Sequence, residues 1–97
     1  MTLDEFRQSL TRADSPPAGL PPLLQALWHD ARGDWDRAHQ LAQDVDSKAG
    51  AWVHAYLHRK EGDEGNAAYW YKRAAREVCN IALEDEWEAI VGALLAA

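Results

Sequence analysis

Two histidines stand four residues apart in the stretch HAYLHRKEGD, at His54 and His58. On a helix this spacing puts both imidazoles on one face, the arrangement by which a single helix offers two nitrogens to zinc, nickel or copper. Glu61 follows one turn later, and His29 or His39 could join the pair across a helical hairpin. The pattern lacks the internal glutamate that serves as general base in the HExxH motif of zinc proteases, and the lone Cys79 has no second cysteine beside it. Packed, hydrogen-bonded rings at a helix contact are therefore the first expectation for His54 and His58. A metal site is the alternative.

A second group of functional side chains lies in YWYKR, residues 69–73. Three consecutive aromatics sweep roughly 200° of a helix and cannot all face one core. With Ala67, Ala74 and Val78 inward, Trp70 and Tyr71 follow them, and Tyr69 is left outside beside Lys72, Arg73 and Arg76. Such a basic and aromatic patch suits an acidic peptide or an anion, since Arg both stacks on Tyr and pairs with carboxylate. Catalysis has little to work with. No Ser or Cys sits in a nucleophile turn, no glycine-rich phosphate loop occurs, and Asp34, Asp63 and Glu84–Glu86 have capping roles.

The chain that must position these groups has 97 residues, room for one domain with a modest core. Its 16 acidic and 10 basic residues give a net charge of −6, which disfavours a grip on nucleic acid. With no apolar run of spanning length, no secretory-type start and a single Cys, a cytoplasmic location is expected and a membrane partner is not. Five Trp are many for this length, and each ring must pack or bind something.

No stretch alternates at the period of a strand, so the chain is predicted to be all-α, with five or six antiparallel helices. Thr2 and Glu5 form a capping box for a first helix over 1–13, with Leu3, Phe6, Leu10 and Ala13 on one stripe. Four prolines and a glycine make 14–22 a linker. Helices follow over 23–32, 34–45, 48–61 and 63–78, punctuated by Gly33-Asp34 and Gly62-Asp63, where Gly supplies a left-handed stop and Asp a fresh N-cap. A last helix over 83–97 carries the acidic cluster Glu84–Glu86 at its positive end and Trp87, Ile90, Val91 and Leu94 as its buried stripe.

The two corners belong to a repeat. At a shift of 29 residues Ala26 matches Ala55, His29 matches His58, Gly33 matches Gly62, Asp34 matches Asp63 and Ala38 matches Ala67. Small residues let antiparallel helices approach closely, and a flat ring fits between them just before the turn. Residues 51–74 resemble one whole tetratricopeptide repeat (TPR), with Trp52, Ala55, Gly62, Asp63, Ala67, Tyr71 and Ala74 at the family's recurrent small and aromatic positions. Residues 26–45 resemble a second copy, and the period is shorter than the usual 34 or so. The resemblance implies two TPR-like hairpins over 23–78 with the terminal helices as caps. It also implies a groove lined by the first helix of each hairpin, on which Trp52, Tyr56, Arg59 and Lys60 would face a partner unless the terminal helices cover them.

The function expected from the sequence is thus a non-catalytic interaction module without cofactor, binding a protein or peptide through Trp52, Tyr56, Arg59, Lys60, Tyr69, Lys72, Arg73 and Arg76. A second copy could dock on the apolar C-terminal helix. The alternative is a metal-binding protein or metal-dependent enzyme using His54 and His58.

Overall fold

The computed structural model describes all 97 residues and contains six helices and no strand. They are α1 (Leu3–Arg12), α2 (Pro22–Ala31), α3 (Trp35–Gln43), α4 (Lys48–Glu61), α5 (Glu64–Arg73) and α6 (Leu83–Ala96). None is long and apolar enough to cross a membrane.

Each boundary has a local cause. Thr2 and Glu5 close the capping box on α1 in both directions, at 2.9 and 3.1 Å. The proline-rich link ends with Pro22 in the first turn of α2, where its missing N–H costs nothing. Gly33 and Gly62 take φ of +84° and +90°, and Asp34 and Asp63 then cap α3 and α5 by accepting from the backbone N–H of Arg37 and Asn66. The two corners also match in their backbone bonds: the amides of Asp34 and Asp63 donate to the carbonyls of His29 and His58, both at 2.9 Å.

Hairpin α2/α3 packs on hairpin α4/α5 through α3 and α4, and Ala26, Ala38, Ala55 and Ala67 lie buried where the helices cross. The link between hairpins is tight. A Cβ on Gly50 would fall 2.1 Å from the Val45 carbonyl oxygen, so only glycine lets the 44–47 turn tuck against α4. The long core joins Phe6 of α1, Leu24, Leu27 and Trp28 of α2, Val53, Tyr56 and Leu57 of α4, and Trp87, Ile90 and Val91 of α6.

Helix α5 is shorter than its expected span to residue 78. After Ala74 the chain turns back, with the amides of Ala75 and Arg76 donating to the carbonyls of Lys72 and Tyr71. Ala75 takes φ of +58°, a left-handed stop of the kind glycine usually makes, and Val78 is 60 % exposed rather than inward. Helix α6 then starts at Leu83 and runs against α4, α2 and α1. It lies along the first helices of both hairpins, on the side where an open groove would have been.

Candidate metal centre

Two buried carboxylates account for the residues expected to line that groove. Asp30, 2 % exposed, accepts from the Tyr56 hydroxyl at 3.0 Å and from Lys60 Nζ at 2.9 Å. Glu86, 1 % exposed, accepts from the Tyr71 hydroxyl at 2.6 and 2.8 Å, Arg59 Nη1 at 2.9 Å and Trp52 Nε1 at 3.2 Å. Trp52, Tyr56 and Arg59 are thus engaged by the chain's own carboxylates, the covered alternative of the two that the repeat left open, while Lys60 reaches Asp30 from an exposed position. Burial, then the charge and hydrogen bond of Asp30, raise the Tyr56 pKa, and burial with Glu86 does the same to Tyr71, so both hydroxyls remain donors. Neither carboxylate is marked in the sequence: Asp30 belongs to no motif, and Glu86 stands in the acidic cluster at the start of α6.

Of the second expected set, Tyr69 is 53 % exposed, and Lys72 and Arg73 are exposed with no carboxylate in ion-pair range. Arg73 lies over the rings of both Tyr69 and Trp70. Arg76 is engaged otherwise, its guanidinium 3.5 Å from the Trp52 ring centroid.

The histidines do come together. His39 of α3 meets His54 and His58 of α4, and one nitrogen from each lies within 4.8 Å of the other two. His39 Nε2 and His54 Nε2 are 2.9 Å apart, one ring donating its N–H to the other. His58 Nδ1 donates to Glu61 Oε2 at 2.6 Å, which leaves Nε2 as that ring's nitrogen with a free lone pair. A carboxylate on the far nitrogen fixes tautomer and ring orientation in metal-bound histidines and makes the ligating nitrogen more basic. His29 does not take part. It sits edge-on to Trp28, half-buried near the first corner, while Cys79 lies beyond α5 in another cavity with Tyr71.

Tryptophans frame the cluster. Trp35 stacks on His39 at 4.9 Å between centroids and anchors its indole N–H on the Leu57 carbonyl at 2.8 Å. Trp70 stacks on His54 at 3.9 Å. Burial lowers the His54 pKa to about 4, with repulsion from His39 and His58 adding to it, and burial likewise lowers His39. Both shifts favour the neutral ring, which keeps a lone pair for a Lewis acid. Spacing alone puts His54 and His58 on one face; the third ring is one of two candidates in the sequence, and only the packing of α3 on α4 selects His39.

Compared with protein-family models, with curated proteins and with solved structures, this chain matches none.

Proposed function

We propose that the protein binds one divalent transition-metal ion, zinc above all, through His39, His54 and His58. The observation that carries this is the convergence of three nitrogens from two helices, two on neutral rings and the third backed by Glu61. Zinc bound at 2.0–2.1 Å in tetrahedral geometry sets its ligand nitrogens roughly 3.3 Å apart, so the His39–His54 pair need open by only a few tenths of an ångström. Imidazole ligands suit zinc, copper and nickel and not calcium or magnesium. Three protein ligands would leave a fourth position for water, and binding without turnover is the role proposed. Because the ligands span α3 and α4, the ion would clip the two hairpins together.

Zinc titration by calorimetry tests this. One equivalent should bind the native chain, His39→Gln, His54→Gln and His58→Gln should each lose most of the affinity, and His29→Gln and Cys79→Ser should keep it. Absent binding, or equal binding by the three-histidine variant, overturns the reading.

A non-catalytic docking role on a TPR-like scaffold is the second reading, and it rests on Tyr69, Lys72 and Arg73, which are exposed, the two cations standing in no ion pair. An acidic peptide is the partner that chemistry fits, and a cytoplasmic location goes with it. A second copy fits less well, because α6 places Trp87, Ile90 and Val91 inside its own chain. Tyr69→Ala with Arg73→Ala should abolish peptide capture and leave zinc binding unchanged.

A further inference from the structure

If the three imidazoles hold a metal, on which reading this inference rests, His54 has a second nitrogen with a role to fill. Its Nε2 points at His39. Its two ring faces are covered by Trp70 and by His58, at 3.9 and 4.9 Å between centroids. Nδ1 hydrogen-bonds to no protein atom, yet the molecule has no sealed-off side-chain nitrogen or oxygen without a partner, so this edge is open. His54 lines a cavity of about 450 Å³ between the end of α3, the start of α4 and the last turn of α5, within the size range of small-ligand sites.

The cavity wall carries Lys48 and Arg73 against one carboxylate, Asp46, with Trp70 as a flat side. Neither cation is ion-paired. A neutral imidazole that ligates through Nε2 must carry its proton on Nδ1. Metal on the cluster would therefore make the open edge of His54 a donor, on a residue that lines one cavity with Lys48 and Arg73. His58 already shows the complementary acceptor, since Glu61 takes its Nδ1–H. His54 has no such group in the chain.

We propose that this cavity binds a small carboxylate, paired with Arg73 and Lys48 and accepting the His54 Nδ1–H when metal occupies the three-histidine cluster. The planar guanidinium of Arg73 matches a carboxylate with two parallel N–H bonds. Metal and carboxylate then strengthen one another's binding by the same factor, because coupling between two sites is reciprocal.

The test is cobalt(II) affinity of the full chain, followed by its visible absorption, with and without saturating acetate. Acetate should tighten cobalt binding about tenfold, the scale on which such outer partners act. In the Lys48→Ala/Arg73→Ala variant, which alters only exposed side chains, cobalt alone should bind as before and acetate should have no effect. Asp46→Asn, which removes the competing carboxylate, should let acetate act at lower concentration. Equal cobalt affinity with and without acetate overturns the proposal. So does undiminished tightening in the double variant, which would place acetate on the metal itself. A chain that binds no cobalt in either condition fails the metal reading instead.

Discussion

His54 couples the centre to pH. Its folded pKa of about 4 lies below the ordinary histidine value of 6.5, so between these values the unfolded chain holds a proton that the folded chain does not. Stability contributed by the neutral ring is complete above about pH 6.5 and is lost as pH falls through 4. Urea midpoints of the metal-free protein should therefore decline across that window, and His54→Gln should flatten the decline. In the proposed centre Glu61 would act through His58, whose Nδ1–H it accepts. Glu61→Gln removes the charge on His58 Nδ1 and should weaken zinc binding by about 10- to 100-fold, read by calorimetry, with little change in the metal-free melting temperature because Glu61 is exposed.

Among the elements, α6 decides which surfaces exist. Its Glu86 ties α4 and α5 through Trp52, Arg59 and Tyr71, and Arg59 also donates to the Ile81 carbonyl ahead of the helix. Removing one member of a buried charged network leaves the others uncompensated. Glu86→Ala should cost about 3–5 kcal/mol in a urea titration, and a loss under about 1 kcal/mol would contradict the role of Glu86 in holding α6 on α4 and α5. The end of α5 makes the opposite prediction. Ala75 holds a left-handed conformation that costs an alanine about 1 kcal/mol, so Ala75→Gly should raise the melting temperature by several degrees.

At the scale of the whole molecule, the helices were legible because their signals are local. The Gly33-Asp34 and Gly62-Asp63 corners, the Thr2–Glu5 box and the proline link each fix a boundary through their own backbone. Helix α5 escaped because its stop uses Ala75, which carries no compositional mark. The candidate site was half legible: His54 and His58 share a face by spacing alone, but His39 joins them only through the way α3 packs on α4. The inward turn of Trp52, Tyr56 and Arg59 is hidden for a similar reason, since their partners Asp30 and Glu86 lie up to 34 residues away in sequence. Long-range pairing of polar groups has no period to read. Four of the five indole N–H groups are spent in this way, on Ser9, Leu57, Glu86 and Leu27, which accounts for much of the tryptophan content.

X-ray absorption at the zinc edge of the loaded protein bears most directly on the central claim. Three imidazole nitrogens near 2.0–2.1 Å with one further light ligand are expected, and His39→Gln should reduce the imidazole signal. A shell of oxygens without imidazole scattering, or a sulfur from Cys79, would contradict it.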